Sequence, residues 1–303
     1  MISSVGLYRL FSLASLSAWL FVVAPAYSAT QGVPLGLAYI PSESLGESPG
    51  GGGLFAQVTL GAGLAPVFFQ LDTGSPRNFK YVRADSWSDP SSKSLTKSVS
   101  QVSNAVGQRV GDFEFVDFDA YVRSVKHFAG TLGIGFFDNR CARFDVKRHQ
   151  LQVTNLGQTC NDSVSSAEHI VFPVTRSVNG ERILVTLKIG SENLRLVFDT
   201  GSASRDLVLF DRVVFDRVSI GEVSEYQGSA WGKQQTCEMR KGRHFDEALT
   251  FPFGARTEFC KFSDGSPLEI GGKEKFDGIV GLAGLLARQF SLDLVNDRLL
   301  VEK

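Results

Sequence analysis

The chain has 303 residues, of which 43% are hydrophobic, and this fraction is typical of a globular protein with a sizeable core. Its 31 basic residues nearly balance 32 acidic residues. The resulting net charge of −1 excludes a partner, such as nucleic acid or an anionic membrane, that is bound through bulk charge. A content of 31 glycines, placed between short apolar runs, favours an all-β protein with tight turns.

The first 28 residues have the pattern of a signal peptide. Arg9 is the only charge before an apolar stretch at 10–23, and the small residues at 24–29 supply a cleavage site. The alternative is an uncleaved anchor, but a spanning helix needs about 20 apolar residues and this stretch is shorter. We therefore expect residues 1–28 to be removed and the protein to be secreted or periplasmic, with no membrane association after cleavage.

The tetrapeptide Asp-Thr-Gly-Ser occurs twice, at 72–75 and at 199–202. Each copy ends a strongly apolar run, at 67–71 and at 194–198, which predicts a strand that leads into the motif. A carboxylate at the end of a strand, followed by a glycine turn, is held rigidly. Two such carboxylates that meet across a pseudo-twofold axis share one proton and activate water against a peptide bond.

The tetrapeptides belong to a longer internal repeat. Gly63 and Gly190 keep their offset of 127 residues, and downstream the segment 128–135 matches 276–283 at an offset of 148 residues. The two halves are therefore versions of one unit, and the second carries 21 extra residues between its matched blocks. We predict four segments after the signal peptide: a flexible leader at 29–53, a first lobe at 54–155, a polar connector at 156–179 and a second lobe at 180–303.

These residues resemble the clan of pepsin-like and retropepsin-like aspartic proteases. In that clan each lobe carries Asp-Thr-Gly and, later, two apolar residues followed by glycine. The segments 131–133 (Thr-Leu-Gly) and 279–281 (Ile-Val-Gly) lie where this second element belongs. The resemblance covers about residues 54–155 and 180–303. It implies an all-β, bilobal pepsin-like fold built from two β-rich lobes related by a pseudo-twofold axis. Because both lobes are on one chain, we expect a monomer.

The resemblance also implies a role for each residue of the two motifs. Asp72 and Asp199 form the catalytic dyad of an aspartic endopeptidase, whose substrate is a polypeptide and which needs no cofactor. Six residues support the catalytic loops: Thr73, Gly74, Ser75, Thr200, Gly201 and Ser202. The threonines bond across the axis, the glycines let the backbone approach the carboxylates, and the serines hydrogen-bond the outer carboxylate oxygens.

Two departures from the family pattern keep a second function open. Pro76 follows the first motif and removes a backbone donor there, and no tyrosine falls in the expected flap region at 93–110. Tyr226 and Trp231 either cover the substrate instead or are ordinary core and loop aromatics. The alternative function is a catalytically silent pepsin-fold module that binds peptides or proteins. The two intact motifs favour the enzyme.

The predicted leader does not resemble the basic prosegment of a pepsin-like zymogen. Residues 29–53 contain Glu43 and Glu47 but no Lys or Arg, and they end in Gly50–Gly53. An ionised dyad would repel these glutamates. We therefore expect no silencing by this segment, and control by export, by the flap or by a partner protein.

The four cysteines agree with an exported protein. Cys141 and Cys160 lie in the first half, Cys237 and Cys260 in the second, and four cysteines allow three pairings. Pairing within each half, Cys141–Cys160 and Cys237–Cys260, is the simplest, and four buried free thiols are the alternative. The chain has no Cys-x-x-Cys, and its four histidines lack ligand spacing, so we expect no metal site.

Overall fold

The computed structural model describes residues 35–41, 52–58, 67–81, 113–116, 128–160, 168–230, 233–243, 252–266 and 274–303. The signal peptide predicted for 1–28, the flap region at 93–110 and Trp231 lie outside these residues. None of the helices in the described part of the chain has the length and apolar character needed to cross a membrane.

The described residues form strands almost throughout. The first half contains eight strands and one short helix: β1 Leu35–Pro41, β2 Gly52–Val58, β3 Val67–Leu71, β4 Asn78–Tyr81, β5 Phe113–Val116, β6 Phe128–Leu132, α1 Ile134–Phe137, β7 Cys141–Asp145 and β8 Gln150–Val153. The second half contains ten strands and one helix: β9 His169–Arg176, β10 Ile183–Ile189, β11 Glu192–Phe198, β12 Leu207–Leu209, α2 Arg212–Val218, β13 Ser219–Ala230, β14 Lys233–Gly242, β15 Arg256–Phe262, β16 Gly278–Val280, β17 Gln289–Asp293 and β18 Arg298–Glu302.

The two halves repeat the same strand pairing. In the first half, β3 pairs antiparallel with β2 and parallel with β6, and β4 pairs antiparallel with β6 and parallel with β5. In the second half, β11 pairs antiparallel with β10 and parallel with β16, and β12 pairs antiparallel with β16 and parallel with β15. The all-β, bilobal fold predicted from the repeat is therefore confirmed.

Six strands that pair in succession form the part of the sheet that joins the halves, in the order β1-β8-β7-β17-β18-β9. Its centre is the antiparallel pair of β7 and β17, one strand from each half, where the rings of Phe144 and Phe290 stack with centroids 4.5 Å apart. The order of strands is symmetric about this pair. The hydrophobic core continues through both halves, because residues such as Phe137 and Phe198 pack into the same cluster.

The predicted flexible leader is wrong over Leu35–Pro41 and Gly52–Gly53. Strand β1 pairs with β2 and with β8, and it buries the side chains of Leu35 and Leu37. The polar connector predicted at 156–179 likewise contains strand β9, which pairs with β10 and β18. In each half, therefore, the repeat begins one strand earlier than the matched sequence blocks.

The cysteines pair within each half, as Cys141–Cys160 and Cys237–Cys260. The first disulfide packs against Leu300 of β18, so it contacts the other half of the molecule. The second joins β14 and β15 at directly opposite positions. Two disulfides fit an oxidising compartment such as the periplasm or the cell exterior.

Candidate active site

Asp72 and Asp199 each lie directly after the last residue of a strand, β3 and β11. The backbone N–H of Asp72 donates to the carbonyl of Leu132, and that of Asp199 donates to the carbonyl of Val280, both at 3.0 Å. Leu132 ends β6 and Val280 ends β16, the parallel neighbours of β3 and β11. Each aspartate is thus held where two parallel strands end together.

The glycine after each parallel strand lets the motif loop rest directly on the backbone. A Cβ at Gly133 would lie 2.2 Å from the carbonyl oxygen of Arg77, and a Cβ at Gly281 would lie 2.3 Å from that of Arg205. These distances are far inside van der Waals contact, so any side chain would push the loop away. The sequence element of two apolar residues and glycine therefore supports the loop that carries the aspartate.

Thr73 and Thr200 make four hydrogen bonds across the junction of the halves, two of them with each other. The N–H of Thr73 donates to Oγ1 of Thr200 at 2.9 Å, and the N–H of Thr200 donates to Oγ1 of Thr73 at 3.0 Å. Each hydroxyl in turn donates to the opposite strand, to the carbonyl of Phe198 at 2.7 Å and to that of Leu71 at 2.9 Å. Both threonines are fully buried, so water does not compete for these bonds.

The two carboxyl groups face each other over the glycines of the motifs. A Cβ at Gly74 would lie 2.6 Å from the carboxyl carbon of Asp199, and one at Gly201 would lie 2.6 Å from that of Asp72. The same Cβ at Gly201 would lie 2.7 Å from Oδ1 of Asp72 and 3.0 Å from Oδ1 of Asp199, so the two carboxyl groups meet at this glycine. Two carboxyl groups this close cannot both be ionised without a large cost, which favours a proton on one of them.

The pKa of Asp72 is raised well above its ordinary range. Burial is the main cause, and the negative charge of Asp199 and the hydrogen bond to that residue add to it. The backbone N–H groups of Gly74 and Ser75 act in the opposite direction, because they stabilise the charged form. The arrangement can therefore hold one proton and one negative charge on adjacent carboxyl groups.

The two serines of the motifs are arranged differently. The hydroxyl of Ser202 donates to Oδ2 of Asp199 at 2.9 Å, as expected from the sequence. The hydroxyl of Ser75 instead donates to the carbonyl of Arg77 at 2.8 Å. A hydroxyl has one donor, so it cannot donate to Asp72 at the same time. The prediction that Ser75 hydrogen-bonds a carboxylate oxygen is wrong.

Asn78 supports the first loop and was missed by sequence reasoning. This residue is buried, and its Oδ1 accepts a hydrogen bond from the N–H of Gly133 at 2.8 Å. In the second half the N–H of Gly281 donates to the backbone carbonyl of Asp206 at 2.9 Å. In the sequence Asn78 is marked only as a polar residue at the first position of β4.

Tyr226 belongs to a buried polar cluster on β13, β14 and β15. Its hydroxyl donates to Oε2 of Glu258 at 2.5 Å, and Arg205 donates to the same oxygen at 2.7 Å. Glu258 and the cysteines of the second disulfide, Cys237 and Cys260, form a group of three potential metal ligands. They do not suit a metal, because disulfide sulfurs are not thiolates and the carboxylate is already paired.

Neither a protein-family model nor a curated protein matches this sequence. Among solved structures, the crystal structure of basic 7S globulin from soybean is similar to this chain at 9% sequence identity. The match covers 90% of this chain and 97% of that chain, with a TM-score of 0.41. Identity and TM-score are both too low to support a statement about fold or activity, which rest on the strand pairing and loop geometry described above.

Proposed function

We propose that this protein is an exported aspartic endopeptidase that hydrolyses peptide bonds with water activated between Asp72 and Asp199. The observation that carries the proposal is the meeting of the two carboxyl groups at Gly201, where a single Cβ position would lie 2.7 Å from Oδ1 of Asp72 and 3.0 Å from Oδ1 of Asp199. The raised pKa of Asp72 agrees with it. Two carboxyl groups in this state supply a general base and a general acid side by side. The two disulfides support export, because such bonds persist in oxidising compartments.

In the proposed reaction the ionised carboxylate takes a proton from water, and the water oxygen attacks the carbonyl carbon of the scissile peptide bond. The protonated carboxyl group gives its proton to the carbonyl oxygen, which forms a neutral tetrahedral diol. The first proton then passes to the amide nitrogen as the C–N bond breaks. One hydroxyl of the diol returns its proton to the second aspartate, so the products are a carboxylic acid and an amine.

The buried threonines would contribute by keeping the carboxyl groups at a constant separation. Their four hydrogen bonds tie the two loops to each other and to the opposite strands. A dyad that is already positioned needs no reorganisation when the substrate binds, and pre-positioning of reacting groups supplies a large part of enzymatic rate acceleration. The alternative, a silent peptide-binding module, would have no use for a shared proton.

The test is digestion of an unfolded protein substrate across about pH 3 to 7, where a carboxylate dyad titrates. Asp72→Asn and Asp199→Asn are each expected to abolish cleavage while the cooperative unfolding transition remains, because an amide cannot hold and release the proton. A transition-state-analogue inhibitor of aspartic proteases should block the wild type. A folded wild type that binds peptides but cleaves none of them at any pH would establish the silent module instead.

A further inference from the structure

The loop that follows the second motif is held differently from the loop that follows the first. Arg205 comes three residues after Ser202, whereas Arg77 comes two residues after Ser75. In the longer loop, the N–H of Arg205 donates to the carbonyl of Ser202 at 3.2 Å and closes a turn. The hydroxyl of Ser202 donates in turn to Asp199. Arg205 is therefore joined through one residue to a carboxyl group of the dyad.

The side chain of Arg205 ends in the buried polar cluster on β13, β14 and β15. Its Nη1 donates to Oε2 of Glu258 at 2.7 Å, and the hydroxyl of Tyr226 donates to the same oxygen at 2.5 Å. The same Nη1 also donates to the second disulfide, at 3.2 Å from Sγ of Cys260 and 3.6 Å from Sγ of Cys237. Arg205 thus connects this disulfide to the second motif loop.

Asp206, the next residue of this loop, is fixed to β15. The Nε and the backbone N–H of Arg256 donate to Oδ2 of Asp206 at 3.1 Å and 3.0 Å, and Nη2 of Arg256 donates to the carbonyl of Ser204 at 2.9 Å. The first disulfide packs instead against Leu300 of β18. Of the two disulfides in the described part of the chain, the second is thus the one whose sulfurs accept a hydrogen bond from a motif loop.

We propose, on the basis of the function proposed above, that Arg205 is a positioning residue for Asp199 and that the disulfide Cys237–Cys260 sets its position. The protein then cleaves peptides at its full rate only when this bond has formed. Export thereby controls the activity, because thiols are oxidised in the periplasm or outside the cell and stay reduced in the cytoplasm.

Reduction acts on Arg205 through the space that the sulfurs occupy. Cys237 and Cys260 are fully buried and pack against Val208 and Ile279. Two thiol groups need more room than a disulfide, because their sulfurs are not bonded and each carries a hydrogen. The surrounding strands are closely packed, whereas the side chain of Arg205 is 17% exposed and can yield. Because the following residue of the loop is held in place, the shift is taken up toward the motif.

Formation of the bond is a two-electron oxidation. The two thiol groups release two protons and two electrons to the disulfide of an oxidant such as oxidised glutathione, whose own S–S bond breaks into two thiols. Cys237 and Cys260 are both fully buried, so this exchange precedes complete folding, and a reductant does not reach the bond in the folded protein. The oxidation state is therefore fixed while the chain folds.

The test is to unfold the wild type and refold it either with oxidised glutathione or with reduced dithiothreitol. Peptide hydrolysis is then measured at a temperature where circular dichroism shows both forms to be folded. The kcat of the reduced form should be about 10- to 100-fold lower, because a shift of about 1 Å in a reacting group has an effect of that size. KM should be unchanged, because the shift affects the reacting groups rather than the binding of the substrate.

Removal of each disulfide in turn shows which of the two is responsible. Cys141→Ala/Cys160→Ala is the matched control, because it keeps the second disulfide, and its kcat should depend on the oxidant as in the wild type. Cys237→Ala/Cys260→Ala should have the same kcat after either refolding. A variant of this second kind that kept the dependence on the oxidant would overturn the proposal.

The connection through Arg205 is tested by Arg205→Met/Glu258→Gln. This double variant removes both charges of the ion pair together, so neither is left buried without its partner. It should have the low kcat of the reduced wild type after either refolding. If it kept the kcat of the oxidised wild type, or still responded to the oxidant, Arg205 would not be the positioning residue.

Nitrogen-15 NMR of the amides of Gly201 and Ser202 reports the geometry of the loop without a substrate. Their signals should differ between the oxidised and the reduced wild type, and unchanged signals would overturn the proposal, as would a reduced enzyme with the kcat of the oxidised form. A protein whose signals change on reduction but that cleaves no peptide in either form would refute the proposed function and keep the coupling between the disulfide and the loop. The two proposals therefore fail separately.

Discussion

Replacement of Thr200 by valine is expected to cost more stability than any change in shape explains. Valine has nearly the same shape but lacks the hydroxyl, which accepts from the N–H of Thr73 and donates to the carbonyl of Leu71. Both bonds are buried, so the N–H loses its partner and no water replaces it. An orphaned buried group costs about 1–3 kcal/mol and a lost hydrogen bond about 1 kcal/mol, so we expect a loss of about 2–4 kcal/mol.

The assay is urea unfolding followed by circular dichroism, with Thr200→Ser as the matched control. Serine keeps both hydrogen bonds and removes one buried methyl group, which costs about 1 kcal/mol. The urea concentration at the unfolding midpoint should therefore be well below that of Thr200→Ser in Thr200→Val, and the dependence of the unfolding free energy on urea should be the same in both variants. Equal midpoints for the two variants would refute the reasoning, because the hydroxyl would then contribute nothing beyond the volume that it fills.

Three further predictions follow from the site and from the sheet that joins the halves. Asp72→Asn should raise the free energy of unfolding at neutral pH. The folded state raises the pKa of Asp72, so the folded protein binds more protons than the unfolded chain, and the wild type loses stability as the pH rises through that interval. The gain should vanish below the ordinary value of 3.8, and urea unfolding at several pH values would show a constant gain if this cause is wrong. Gly201→Ala places a Cβ 2.6 Å from the carboxyl carbon of Asp72, so thermal unfolding should show a loss of about 1–3 kcal/mol of stability and peptide hydrolysis should be lost. Gly135→Ala, whose Cβ would have no atom closer than 3.8 Å, should lose neither stability nor activity. A chain that starts at residue 54 lacks β1 and the buried side chains of Leu35 and Leu37, so it should lose about 3–6 kcal/mol of stability, and an undiminished unfolding midpoint would contradict this.

Much of the candidate site could be predicted from the sequence because its signals are local and duplicated. Each Asp-Thr-Gly-Ser follows an apolar run that forms a strand, and the second element of each half ends in a glycine that the loop needs. Two copies at a constant offset of 127 residues require two equivalent halves, and two equivalent halves bring their aspartates to one junction. The reciprocal bonds of Thr73 and Thr200 are a consequence of that symmetry.

The errors have a common physical origin. The prediction of a flexible leader rests on its prolines, serines and glycines, which indicate only the local flexibility of the backbone. Strand β1 forms because β2 and β8 offer it hydrogen bonds and an apolar surface. In β1, Leu35 lies opposite Leu151, a residue 116 positions further along the chain, and no local pattern encodes such a partner.

The sequence alone therefore determined the duplicated all-β architecture and the two aspartates, because these depend on repeated motifs and their spacing. It left the pairing of the cysteines open, and the folded chain decided it. Only the tertiary structure decided which strands complete the sheet between the halves and which serine reaches a carboxylate. The two serines are the same residue in the same motif. Their hydroxyls have different partners because the two loops differ in length by one residue before the carbonyl that lies against Gly133 or Gly281. That contact exists only in the folded chain.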